Sequence, residues 1–200
     1  LPIEGSNLPS VIGWRTIQDT EQIIDIASKK KKAIVIGGGL LGLECARGLL
    51  DQGMDVTVLH LAEWLMEMQL DRKAGDMLRA DLEKQGMKFE LQANSKRIIG
   101  DEDVEAVELA DGRVIETDLV VMAVGIRPYT EVAKDAGLDV QRGIVVNDFL
   151  QTSDSNIYAI GECAEHNGKV YGLVAPLYEQ GKVLAAVSYT HLTLPTKRIV

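Results

Sequence analysis

Gly37-x-Gly39-x-x-Gly42 is the cluster whose residue types and spacing prescribe a chemistry. In such a loop the first glycine permits a tight turn and the second lets the backbone approach a pyrophosphate. The third lets the following helix lie close against the preceding strand. The helix start adds unbonded N–H groups and the positive end of the helix dipole, both suited to phosphate charge. Glycine-rich turns that hold nothing can share the pattern, so the context decides. Here an apolar run (residues 33–36) precedes the loop, a helical stretch (40–52) ended by Gly53 follows it, and residues 55–59 form a second strand. Ala46, four residues beyond Gly42, is small, as close helix–strand packing requires. Gly37, Gly39, Leu40, Leu41 and Gly42 are therefore the expected dinucleotide cradle.

A residue at the end of the second strand of such a unit reads the ribose, and an acid there selects NAD. This chain has His60 at that place, with Glu63 three residues on. No Arg or Lys stands immediately beside His60 to take a 2′-phosphate; Arg72 and Lys73 open the next helix. The pattern leans towards NADH without deciding it. His60 is either a ribose-edge residue or an exposed histidine at a strand end.

The elements that must position these residues alternate in type. A helical stretch over about 19–30 carries Ile23, Ile24, Ile26 and Ala27 on one side. After the cradle and second strand come an amphipathic helix (71–85) closed by Gly86 and a third strand (87–91). This is the α/β pattern of a doubly wound, Rossmann-like parallel sheet. Three short segments (96–99, 104–109, 113–116) then read as an inserted antiparallel meander, with Asp111-Gly112 as its hairpin turn. The apolar run 118–124 returns to a central strand. Beyond Gly125 a short helix (130–136), a hairpin-like piece (143–147) and an apolar strand (157–160) follow, too little to form a sheet of their own.

Composition narrows the classes. Thirty acidic against 21 basic side chains give a net charge of −9, which argues against nucleic acid and anionic membranes as partners. The basic run 29–32 reads as a solvated helix end. No stretch is long enough to span a bilayer, and no signal-peptide pattern opens the chain. The first residue is Leu, so the sequence reads as a fragment. Cys45 and Cys163 are the only cysteines, which excludes a disulfide framework and a Cys-rich metal site and fits a reducing cytoplasm. No metal site is expected.

The segments GGGLLGLE, DLVVMAVGIRP and TSDSNIYAIGECA resemble pyridine-nucleotide-dependent flavoprotein reductases. In that family an NAD(P) domain is inserted into an FAD domain, which resumes after an A-x-G-x-x-P segment. Here that segment runs from Ala123 through Gly125 and Arg127 to Pro128. The I-Y-A-x-G-D motif that closes over the FAD ribitol corresponds to residues 157–162, with Gly161 and with Glu162 in place of Asp. More narrowly, PIEGSNLP, RTIQDTEQI, LAEWLMEMQLD and GECAEHNGKVYGLVAPLYEQGK are similar to large subunits of assimilatory NAD(P)H-dependent nitrite reductases, over about residues 2–186.

The resemblance implies three segments, a linker closing a first FAD segment (1–32), the NAD(P)-binding domain (33–125) and the returning part of an incomplete FAD domain (126–186), and it leaves a tail (187–200) outside. It implies NAD(P)H and FAD as cofactors, an electron-acceptor module as partner, and sirohaem and an iron–sulfur cluster only in modules beyond this sequence. It also admits a homodimer of the full protein. Glu44, at the G-x-x-G-x-E position, is placed near the nicotinamide or is a surface carboxylate. Arg127 approaches the flavin or the pyrophosphate, or is an ordinary surface Arg. Cys45 and Cys163 read as small buried residues, His166 as a solvated loop residue, and Met66, Met68, Met77 and Met87 as core packing. The tail VSYTHLTLPT departs from the resemblance and fits no helix; it reads as translated sequencing adaptor, carrying no function.

Overall fold

In a computed structural model, residues 3–188 are described. The chain divides into two units, Leu1–Gly125 and Ile126–Val200.

The first unit is built on a five-stranded, wholly parallel sheet. Its elements run β1 (Val11–Gly13), α1 (Ile17–Ala27), β2 (Lys32–Ile36), α2 (Leu40–Asp51), β3 (Asp55–His60), α3 (Arg72–Lys84) and β4 (Lys88–Leu91). The antiparallel strands β5 (Ser95–Ile99), β6 (Ala106–Leu109) and β7 (Val114–Glu116) follow, and β8 (Leu119–Met122) returns to the parallel sheet. The sheet order is β1-β8-β2-β3-β4. From β2 the chain moves to β3 on one side, while β8 pairs with β2 on the other. The carboxyl ends of β2 and β8 therefore flank the crevice where a parallel sheet of this kind binds ligands.

Strand alternation explains how both faces are buried. Ala33 and Val35 of β2, with Val56, Val58, Leu119 and Val121, pack against Ile23, Ala27, Cys45, Ala46 and Leu49 of the helices. Ile34, Ile36, Leu59 and Val120 point the other way, onto Ile98, Val107 and Leu109 of the meander. Helices thus cover one face and the antiparallel sheet covers the other, where a doubly wound fold would place helices on both.

Several expectations are changed by this packing. β1 pairs in parallel with β8, so the stretch before residue 33, read as a linker, supplies an edge strand and a helix to the first unit. Ile24 is exposed while Ile23 and Ala27 are buried, because the buried stripe of α1 is narrower than its apolar content. Of the four methionines read as core, Met87 is buried, whereas Met68 and Met77 are largely exposed.

The second unit contains α4 (Glu131–Asp135), β9 (Ile144–Val146), β10 (Ala164–His166), β11 (Lys169–Val170) and α5 (Val174–Ser188). It does form a sheet of its own, in the order β11-β10-β9. β9 pairs in parallel with β10 and is not one arm of a regular hairpin, although Val140 makes one antiparallel bridge to Ile144. The β10–β11 hairpin turns on Asn167-Gly168, both at positive φ (50° and 72°), a strong turn signal that the sequence reading passed over. Residues 157–160, expected as a strand, make only one isolated bridge, Tyr158 to Gln151. His166 lies in β10, not in a loop, and its Nε2 meets Asp148 at 2.8 Å. Helix α5 reaches Ser188, so the first two residues of the suspected tail are helical; residues 189–200 lie outside the described residues. No helix among the described residues is long and apolar enough to cross a membrane.

Candidate functional site: a dinucleotide cradle

The cradle lies between β2 and α2, and each of its glycines meets a different constraint. Gly37 sits at φ +122°, and a β-carbon there would lie 2.3 Å from the Ala123 carbonyl oxygen beyond the end of β8. A β-carbon on Gly42 would lie 1.9 Å from the Gly37 carbonyl oxygen, so only hydrogen lets the first turn of α2 lie on the loop. Ala46, one turn on, is fully buried against the sheet. At Gly39 a β-carbon would meet nothing within 4 Å, so the space in front of the loop is open.

Capping separates α2 from its neighbours. Thr16 caps α1, with its Oγ1 accepting from the Asp19 N–H at 3.1 Å while the Asp19 carboxylate accepts from the Thr16 N–H at 2.6 Å. Asp71 caps α3 by accepting from the Ala74 N–H at 2.8 Å. The N-cap of α2 is Gly39, which has no side chain to do this. The amides of Leu40, Leu41 and Gly42 donate to no other group among the described residues. Leu40 and Leu41 are each 49% exposed. Free donors at a helix start, beside open space, fit the pyrophosphate of a dinucleotide.

Gly38, given no role by the motif, is held on both its polar groups. Its N–H donates to His60 Nδ1 at 3.0 Å, and its carbonyl accepts from the Met66 N–H at 3.1 Å. A backbone N–H can only donate, so Nδ1 is the acceptor and the ring proton sits on Nε2. Nε2–H in turn donates to the Trp64 carbonyl (3.1 Å) and the Glu67 carboxylate (3.0 Å). His60 is 6% exposed. It is therefore neither an exposed strand-end histidine nor a ring with a nitrogen left for a ribose hydroxyl. Only the tertiary fold shows this, because the partner lies 22 residues away.

Glu63 and Arg72 pair at 3.1 Å on the surface, so the guanidinium at the start of α3 folds back beside the carboxylate. Glu44 is exposed, without a partner among the described residues. It borders a groove of about 140 Å³ between α1 and α2, with Trp14, Ile23, Ile24, Cys45 and Leu49. The Cys45 thiol is buried there, and that burial pushes its pKa up to about 12. Gly125 takes φ +89° after β8. A cleft of about 900 Å³ lies at the opposite end of the sheet beside residues 29–32. Two of its lysines are already paired there, Lys30 with Asp103 and Lys32 with Glu116.

In the second unit Arg127 is exposed and unpaired among the described residues. Gly161 takes φ +87°, and its N–H donates to Gln180 Oε1 at 2.8 Å, a partner absent from the motif reading. That bond ties α5 to the 3-10 turn Gly161–Cys163, on which Glu162 stands exposed with no partner among the described residues. A free carboxylate on a tethered turn fits the role of accepting a sugar hydroxyl. Cys163 is half-buried, and its thiol donates to the Ile160 carbonyl at 3.3 Å.

A family model for pyridine nucleotide-disulphide oxidoreductases matches residues 1–182. The chain belongs to that family. Membership implies NAD(P)H and FAD as redox cofactors. Among relatives of this pyridine nucleotide-disulphide oxidoreductase chain, a nitrite reductase [NAD(P)H] of Bacillus subtilis (strain 168) is 58% identical over 185 residues, covering 92% of this chain and 23% of that protein. An assimilatory nitrate reductase electron transfer subunit from the same organism is 51% identical, covering 93% and 24%. The chain thus spans about a quarter of the length of these two relatives. Among solved structures, a ferredoxin reductase from Rhodopseudomonas palustris superposes with a TM-score of 0.86 at 31% identity, over 94% of this chain and 48% of that one. The two cysteines, one in each unit and both unpaired, are not a vicinal dithiol despite the family name.

Proposed function

We propose that this chain is the electron-input segment of a cytoplasmic NAD(P)H-dependent flavoprotein whose electrons reduce nitrite to ammonium. The open glycine cradle at the uncapped start of α2 is the observation that carries the dinucleotide part of this reading. The 58% identity to a nitrite reductase [NAD(P)H] supports the nitrite part. When bound, the nicotinamide and flavin would supply the hydride transfer, so the protein's task is positioning and electrostatics.

Leu40, Leu41 and Gly42 offer amides to the pyrophosphate, while Gly37, Gly39 and Gly42 keep the loop close and unobstructed. Glu63 lies near the ribose end, and Gly125 lets the chain turn away beyond β8. Glu44 borders the groove beside α1 on the nicotinamide side. Arg127, Gly161 and Glu162 belong to the returning FAD segment, where Glu162 accepts a sugar hydroxyl and Arg127 adds positive charge. Exposed Leu173, Val174 and Tyr178 around the start of α5 fit a domain completed by sequence beyond this chain. Sirohaem and iron–sulfur chemistry is assigned to modules outside it.

The test is reduction of the flavin-loaded full-length protein by NADH and by NADPH, followed by nitrite-dependent turnover. Flavin bleaching with nitrite-dependent oxidation of the nucleotide and release of ammonium is the expected result. Bleaching without nitrite turnover moves the assignment to the second reading, an electron-transfer subunit or stand-alone reductase, which the 51% identity to a nitrate reductase subunit favours. No bleaching with either nucleotide overturns the reading as an enzyme.

A further inference from the structure

We infer that His60 is a positioning residue that sets the dinucleotide cradle through Gly38, in place of reading the ribose. The inference rests on the proposed function, since it takes the glycine loop as the dinucleotide site.

Gly38 is the unassigned position of the motif, yet both of its backbone polar groups are held, while the neighbouring Gly37 N–H donates to the Leu59 carbonyl at 2.8 Å. His60 Nδ1 receives its N–H, and Met66 donates to its carbonyl. Met66 adopts φ +58°, a left-handed conformation uncommon for a side-chain-bearing residue. That strain persists because neighbouring bonds determine it: the Met66 carbonyl accepts from Gln69 and Leu70, each at 2.8 Å, and Trp64 Nε1 donates to the Leu70 carbonyl at 3.0 Å. The last residue of β3 and the segment after it thus form a clasp that holds both the N–H and the carbonyl of Gly38. Glu67 and the Trp64 carbonyl hold the far ring nitrogen and so fix which nitrogen accepts. There is no spare room in the clasp, since a β-carbon on Gly38 would lie 2.7 Å from His60 Cγ and 2.8 Å from Leu65 Cδ2.

Gly38 directly precedes Gly39, the N-cap of α2, and its N–H and C=O belong to the two successive peptides that lead into the helix, so holding both orients the free amides that follow. A pyrophosphate is common to NADH and NADPH. A residue acting on the cradle must therefore change both affinities by one factor, whereas a ribose reader changes them unequally.

The experiment measures dissociation constants of NADH and NADPH by calorimetry on the flavin-loaded full-length protein, with hydrogen exchange of the peptide spanning residues 37–42 and the unfolding midpoint. His60→Asn places a carbonyl oxygen near the Nδ1 position and keeps an acceptor for Gly38. His60→Gln reaches the Nε2 position and leaves Gly38 without one. The expected result is near-native binding for H60N. For H60Q, both nucleotides weaken together by on the order of tenfold, the equivalent of one lost hydrogen bond, and exchange at 37–42 is faster. An NADH/NADPH ratio altered in either variant overturns the inference, as does an H60Q protein that binds like wild type. If H60Q does not fold, an H60N protein that has lost affinity or shifted the ratio overturns it alone. Wild-type protein that binds neither nucleotide sinks the functional reading itself, a failure distinguishable from these.

Discussion

The Gly37 carbonyl oxygen lies 1.9 Å from where a β-carbon on Gly42 would stand, so the loop and the helix it opens are in backbone contact. Gly39, between them, faces open space. Two glycines of one motif are thus required for different reasons, one by packing and one by the ligand.

Gly42→Ala therefore forces α2 from the loop and should destabilise the first unit by about 1–3 kcal/mol, in the range of other overpacked sites. Gly39→Ala, at φ −84° and ψ −175°, is compatible with any side chain. It should leave the unfolding midpoint unchanged while weakening NADH binding by about tenfold or more, because the methyl group enters the pyrophosphate's space. Thermal unfolding and calorimetry on both variants check this, and equal melting loss in the two would contradict it.

Glu165 is a buried carboxylate, 4% exposed, that accepts from the Gly143 N–H at 2.8 Å and so ties the chain before β9 to β10. Replacement by Ala leaves that amide without its acceptor and should cost about 1–3 kcal/mol. Glu165→Gln keeps an acceptor and should cost less. Chemical denaturation of the three proteins measures the difference.

Cys45 gives a pH dependence of definite sign. Burial raises its pKa from 9.0 to about 12, so the folded state favours the neutral thiol. Its stabilising contribution is complete below pH 9 and is lost as pH rises from 9 towards 12, since the unfolded chain ionises first. Cys45→Ala should flatten the alkaline limb of stability. A thiol reagent at pH 8 should label the half-buried Cys163 before Cys45, with mass spectrometry of digested protein reading the order.

Asp103 behaves in the opposite sense. Burial pushes its pKa up, but the Lys30 ammonium, Ser10 and the Val104 amide outweigh it and bring the group from 3.8 to about 2. The contribution is present above pH 3.8 and lost as pH falls towards 2. Asp103 also accepts from the Ser10 N–H at 3.1 Å, and Lys30 Nζ donates to the Asp118 carbonyl at 3.1 Å, so the pair joins the meander to the starts of β1 and β8. Asp103→Asn should lower stability at neutral pH and reduce its fall between pH 4 and 2, as acid titration followed by circular dichroism would record.

The sequence by itself determined whatever depends on neighbours along the chain. Alternation and apolar runs marked β2, β3, β4 and β8; Asp111-Gly112 turned the meander; and the spacing of Gly37, Gly39 and Gly42 marked the cradle. These are local because strand pleating, turn dihedrals and a helix start are each decided within a few residues. The tertiary structure alone decided which chemistry the polar side chains were left free to do. His60 stands where a ribose reader belongs, but its nitrogens are taken by Gly38, 22 residues back, and by Trp64 and Glu67. The place of β1 beside β8 and of Asp103 against Ser10, 93 residues away, was equally hidden. Residues 157–160 are apolar enough for a strand and yet pair through a single bridge. A sequence pattern fixes how much apolar surface a segment must bury, whereas a hydrogen bond goes to whichever donor or acceptor the folded chain brings within reach.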